Sequence, residues 1–250
     1  MRTLTTILTI IIFTSCNQQS KNDEQTKTPV KKEVDAKTQT IQTEFGGNWV
    51  NKKYVDKLLK TKSPKESQDI APMTMLMLPK QTNQLATIIW GFHEGTSGTV
   101  KELNGKFGIQ SGTDAQFELT FKIENNLLKT EKDEFVRIQE STDPNNDDIV
   151  EQLLFKGKYE LDGQEVEFTH DGRVLGLDSI TYYTVLIDYY DAGMQVDQLR
   201  LGKDFENSSL YGFEFDQNTL KIYQLDCVTR EDDYCVVVQN GQEIFKMIRK

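Results

Sequence analysis

Two cysteines carry the most specific chemical spacing in the carboxyl-terminal part of the chain. Cys227 and Cys235 flank Val228-Thr229-Arg230-Glu231-Asp232-Asp233-Tyr234, with strand-like sequence on both sides. Across a hairpin they face each other, so an oxidising compartment would join them. Closing so short a loop contributes about 2–3 kcal/mol in the chain-entropy picture. The spacing is not that of a C-x-x-C redox pair, and partner ligands for zinc are lacking nearby. Asp143-Pro144-Asn145-Asn146-Asp147 places oxygen side chains at the first, third and fifth positions of a calcium-loop pattern. Asp148 then stands where the sharp turn needs glycine, and Leu154 where a bidentate glutamate belongs. A polar turn leading into a capped helix is the simpler account. Histidine occurs only at 93 and 170. His93 and Glu94 form a pair that suits a barrel mouth or an ordinary loop start, and His170, just before a turn, is expected to be exposed. Gly95-Thr96-Ser97-Gly98 lacks the spacing of a nucleophile elbow, and no H-E-x-x-H, phosphate loop or dinucleotide fingerprint is present. No cofactor or metal is expected. A hydrolase using carboxylates from distant strands remains the weakest of three functional readings.

The third cysteine has a different context. Arg2 precedes the apolar run Leu4 to Phe13, and Thr14-Ser15 leads into Cys16. The run is too short to span a bilayer, which takes about 20 apolar residues, and reads as the core of a secretion signal. Small residues before a cysteine at the close of such a segment resemble the lipobox of bacterial lipoproteins, with Phe13 in the place where leucine is usual. The resemblance implies a diacylglycerol on the Cys16 thiol, cleavage before that residue and acylation of the new amino terminus. Two or three acyl chains, at about 0.8 kcal/mol per buried methylene, would hold the protein on the membrane permanently. The expected location is the bacterial envelope, at the outer membrane. The alternative makes Cys16 an ordinary residue of a signal cut elsewhere.

Loss of residues 1–15 removes one charge, Arg2, and leaves 28 basic against 39 acidic side chains, a net charge of −11. Nucleic acid binding rests on phosphate neutralisation, so such a balance argues against it and against adhesion to anionic lipid. Cations are tolerated and anions repelled. Residues 16–44 read as the lipidated cysteine and its tether. From 17 to 44 there is no aromatic residue, and Val30, Val34, Ala36 and Ile41 are the only apolar ones among five acidic and five basic side chains. Such a stretch buries too little surface to offset ordering entropy, and spans about 30 Å as a coil. Residues 45–250 are left as a single β-barrel domain.

The elements that must position these residues are mostly strands. Phe117, Leu119, Phe121 and Ile123 alternate with polar residues, as do Tyr211, Phe213 and Phe215. The segment from Ile180 to Tyr190 is apolar on both faces and reads as a central strand. Asn104-Gly105, Asp162-Gly163, Asp171-Gly172 and Asn240-Gly241 supply tight hairpins. Helix is confined to a stripe of Tyr54, Val55, Leu58 and Leu59, a turn beginning Ser63-Pro64-Lys65-Glu66, and a short helix from Asp148 to about Phe155 with Asp148 as cap. One strand, a short helical pair and about ten further strands predict an all-β antiparallel meander closing into a barrel.

Gly47-Asn48-Trp49 at the first strand, followed by the helical pair, resembles the opening of lipocalins and fatty-acid-binding proteins. That resemblance implies a barrel holding an apolar ligand. Trp49 is otherwise simply a core residue. Met73, Met75 and Met77 alternate along one strand and, unless they are ordinary core, can line an adaptable pocket. Trp49, Met75, Met77 and Trp90 are therefore the expected ligand-binding residues, for a small apolar or amphipathic molecule. An anionic ligand would need Arg137, Arg173 or Arg200 turned inward. The runner-up is a non-enzymatic protein docking on another envelope component.

Overall fold

In the computed structural model, residues 45–112, 117–139, 148–190 and 193–250 are described. Cys16, the tether and Asp143–Asp147 of the calcium-like loop lie outside them. Gly47–Asn51 forms β1, and the chain then turns into two short helices, α1 (Lys52–Thr61) and α2 (Pro64–Ser67). Asn51 caps α1 by accepting the Lys53 N–H. Ser63 caps α2 by accepting the Glu66 N–H, with Pro64 in the first turn, while its own N–H donates to Thr61 Oγ1 and not to Glu66, so one arm of the capping box forms. Tyr54, Val55 and Leu58 are buried, while Leu59 stays 48% exposed.

The next seven strands are β2 (Met73–Leu78), β3 (Leu85–Trp90), β4 (Glu94–Leu103), β5 (Lys106–Gln110), β6 (Leu119–Glu124), β7 (Leu127–Lys129) and β8 (Glu134–Ile138). Each pairs antiparallel with its predecessor, and β8 returns to β1 through Trp49↔Arg137 and its neighbours, closing an eight-stranded barrel. A barrel of this size is just filled by inward side chains. Here they are Trp49, Leu76, Ile88, Val100, Ile109 and Phe135, with Phe45, Phe107 and Phe121 stacked among them.

The meander does not end there. A helical segment reaching Phe155 leads into β9 (Gly157–Leu161), β10 (Gln164–Phe168), β11 (Val174–Leu175), β12 (Tyr182–Leu186), β13 (Gln198–Gly202), β14 (Ser208–Asp216), β15 (Thr219–Glu231) and β16 (Tyr234–Arg249). They form a second antiparallel sheet in the order β11-β10-β9-β16-β15-β14-β13-β12. Its two edges meet at a bridge between Arg173 and Tyr182, with Tyr183 N–H donating to Gly172 O at 2.8 Å, so this sheet is nearly a barrel too. Sixteen strands among the described residues thus replace the expected eleven or so. The segment from Ile180 supplies β12, which is an edge and not a central strand. It reads as doubly apolar because Tyr183 and Val185 point into the core while its other face is still half covered.

Asn104-Gly105 and Asp162-Gly163 make the expected hairpins, with positive φ at all four residues. Asn240-Gly241 does not. It lies inside β16, where Tyr223 pairs with Glu243 and Leu225 with Asn240, so Gly241 and Gln242 stand opposite Gln224. The dipeptide marks a bulge, another use of residues with small or locally bonding side chains. The hairpin expected between the cysteines is present, and its disulfide spans Cα atoms 5.8 Å apart. That hairpin continues past the last β14–β15 pair, Tyr211↔Gln224. One side of it is held by Gly193 N–H and the Gln195 amide, both donating to Val236 O at 3.1 Å.

Both sheets belong to one compact unit, Ile41–Lys250. The interior of the second sheet and the outer face of the first barrel share one core, which joins Val50, Tyr54, Leu58 and Met75 to Phe155, Tyr159, Tyr183 and Phe213. Phe155 is its hub, with the rings of Phe168, Tyr183, Phe213 and Phe215 at 5.0–5.8 Å.

Candidate binding clefts and a buried carboxylate

Trp90 ends β3 and forms a wall shared by two clefts, as does Pro72. The first, about 560 Å³, lies at the end of the first barrel where β2 and β6 begin and β7 turns into β8. Met73, Trp90, Phe117 and Leu119 give it an apolar floor, and Glu118, Glu131, Lys132 and Asp133 a charged rim. Phe117 reaches this position because its ring lies directly over Gly108, where a Cβ would come within 2.5 Å of it. Lys53 pairs with Asp133 at 2.7 Å at the rim.

The second cleft, about 530 Å³, lies on the other side of Trp90 and is lined by Asp69, Gly91, His93, Glu94 and Tyr190 among others. The turn between β3 and β4 is fixed from within. Thr74 Oγ1 donates to Ile89 O and accepts the Phe92 N–H, both at 3.1 Å, and Gly91 N–H donates to Pro72 O at 3.0 Å. Gly91, at φ +58°, leaves room for the Tyr190 ring; a Cβ there would lie 3.0 Å from that ring. Asp188 then ties the loop after β12 to this turn. One oxygen meets His93 Nδ1 at 2.7 Å and the other accepts the Tyr190 N–H at 3.1 Å. The His93 and Tyr190 rings consequently lie 5.0 Å apart.

The four residues expected to bind a ligand are not brought together. Trp49 is buried in the first barrel, its Nε1 donating to Phe45 O at 2.7 Å and the Arg137 guanidinium 4.6 Å from its ring. Met75 is buried in the shared core outside that barrel, and Met77 is 37% exposed. A register shift between Met73 and Met75 breaks the alternation, turning Met73 to the barrel side. Of the four, Trp90 lines the two clefts described above, with Met73 joining it in the first. Of the three arginines, Arg173 pairs with Asp171 at 2.9 Å and Arg200 lies 5.2 Å from the Phe205 ring. His170 is half-buried and bonded to the Gln139 amide at 2.6 Å.

Sequence reasoning did not find the buried carboxylate. Glu151, which as the third residue after Asp148 would suit a capping box, is 2% exposed and turns to β12 instead. Its Oε1 accepts the Val185 N–H at 2.6 Å and the Thr184 hydroxyl at 3.3 Å. The backbone there widens by one residue, Lys156 N–H donating to Glu151 O, five positions back. Burial is the main cause that pushes the Glu151 carboxyl up to about 7, and nearby Asp148 adds to it. Asp197 is raised too, chiefly by burial, against the bonds it accepts from Lys65 N–H and Tyr189 Oη. Tyr54 Oη is buried with no hydrogen-bond partner among the described residues. Glu151 is spent on the Val185 N–H and the Thr184 hydroxyl, which makes it a structural strut between the helical segment and β12.

Among the described residues no cluster of three His, Cys, Asp or Glu is arranged to hold a metal, and no helix is long and apolar enough to cross a membrane. No family model, curated protein or solved structure matches the chain.

Proposed function

We propose that the protein is a lipid-anchored envelope lipoprotein whose first, lipocalin-like barrel binds a small apolar or amphipathic molecule. The supporting observation is the cleft at the barrel end, with Met73, Trp90, Phe117 and Leu119 below a polar rim. Its volume and lining suit a small ligand. The site sits at the mouth because the barrel's own aromatics fill the interior. A neutral probe such as N-phenyl-1-naphthylamine should brighten on binding, and Trp90→Ala should weaken it roughly tenfold or more, the loss typical of an aromatic anchor. A wild-type domain that binds no such probe removes this reading.

Anchoring rests on the Arg2–Cys16 segment. Cys16→Ala should abolish incorporation of a labelled fatty acid and move the protein from the membrane to the soluble fraction. Wild-type protein that takes up no label would refute the anchor.

One observation favours the second reading, a docking protein. The disulfide-tied end of the β15–β16 hairpin presents Val228 at 55% and Tyr234 at 78% exposure. Failure of the probe experiment would direct attention there.

A further inference from the structure

We infer that the ligand of the Trp90 site is a cationic amphiphile, its hydrocarbon part in the barrel-mouth cleft and its ammonium head in the second cleft. This rests on the binding reading above and adds the chemical class. Trp90 and Pro72 line both clefts, so one molecule can bend around the indole and occupy both. The two volumes differ in character. Met73, Phe117 and Leu119 make the first a place for a tail. The second holds two aromatic rings, Trp90 and Tyr190, together with the carboxylates of Asp69 and Glu94.

Aromatic faces attract a cation through their quadrupole, best of all when alkylated ammonium sheds its water readily. Tyr190 is 65% exposed, yet its position is set by Gly91, His93 and Asp188, so its ring is presented and not free to collapse. Neither Asp69 nor Glu94 has an ion-pair partner among the described residues. Around the first cleft Glu118 and Glu131 outweigh Lys132, and Asp133 is neutralised by Lys53. The net charge of the whole chain, −10, biases encounter in the same direction. An anionic head in the second cleft would lie beside the Asp69 and Glu94 carboxylates, with His93, already paired with Asp188, as the one basic side chain among the lining residues, and a neutral head would leave both rings without their electrostatic partner.

Three ligands with one tail and different heads separate the possibilities: octyltrimethylammonium, 1-octanol and octanesulfonate, each titrated into the purified domain below its micellar concentration. Binding is followed by calorimetry and by Trp90 fluorescence. The cation should bind roughly tenfold more tightly than the alcohol, and the sulfonate more weakly than either. The double variant Asp69→Asn, Glu94→Gln changes only exposed side chains, and should bring cation and alcohol within about threefold of each other, the residual being the aromatic share. Equal binding of all three by wild type overturns the cationic class while leaving an apolar site in place. An undiminished cation preference in the double variant overturns it too, by assigning the preference to overall charge. Binding of none of the three refutes this inference and the proposed function together.

Discussion

Phe155→Ala is expected to lower the unfolding free energy by about 4 kcal/mol, the usual cost of emptying a fully buried phenylalanine site. Phe155 is 0% exposed and contacts rings from β10, β12 and β14, which belong to different parts of the second sheet. One of these rings is also tethered, Tyr183 donating to Thr169 O at 2.6 Å, while Tyr159, which packs against Phe168, donates to Phe155 O at 2.8 Å; both bonds oppose collapse into the space. Urea denaturation of wild type, Phe155→Ala and Phe205→Ala measures the effect. Phe205 is 59% exposed and should cost less than about 1 kcal/mol. Equal midpoints for the two variants would show that the second sheet is not organised around Phe155.

The second large effect depends on pH. Glu151 has a folded-state value of about 7 against an ordinary 4.5. Between those values the folded protein keeps the proton and the unfolded chain has released it. Stability therefore falls as pH rises across that window and levels off above it. The full excursion is about 3 kcal/mol. Asp197, raised in the same sense, adds to the fall at the acidic end. Glu151→Gln keeps an oxygen to accept from Val185 N–H and Thr184, but no longer titrates. Relative to wild type, this variant should therefore gain about 3 kcal/mol between pH 4.5 and pH 8. Denaturation midpoints that run parallel for the two proteins over that range would refute the assignment.

What the sequence discloses follows from the range over which each signal acts. Alternation in Phe117–Ile123, the Ser63 helix cap and the cysteine hairpin are set within a dozen residues, and each has its counterpart in the structure. The antiparallel meander is legible for the same reason, since consecutive strands pair with one another. The division into two sheets is not. It depends on β8 returning to β1, a pairing across some 85 residues that leaves no periodic trace. Trp90, His93 and Glu94 stand out locally, but Asp188 and Tyr190 join them from nearly a hundred residues away. The alternation of the methionines does not disclose the single bulge that puts Met73 on the face opposite to Met75. Glu151 stands three residues after Asp148, where a capping box would place it, and only the packing of β12 above it turns the carboxylate elsewhere.

The single core shared by both sheets also bears on how such a protein can change over evolutionary time. Folds made of separate modules can be duplicated, recombined or lent to other genes one piece at a time. Here the outer wall of the first barrel is the lid of the second, through Val50, Tyr54 and Met75. A descendant that inherited only the first eight strands would carry an oily face in place of that partner. One that inherited only the later eight would lack the helix α1 that stops its interior. Neither half can be inherited alone without exposing that shared wall, whereas a residue of the clefts or the hairpin tip can be exchanged without disturbing it.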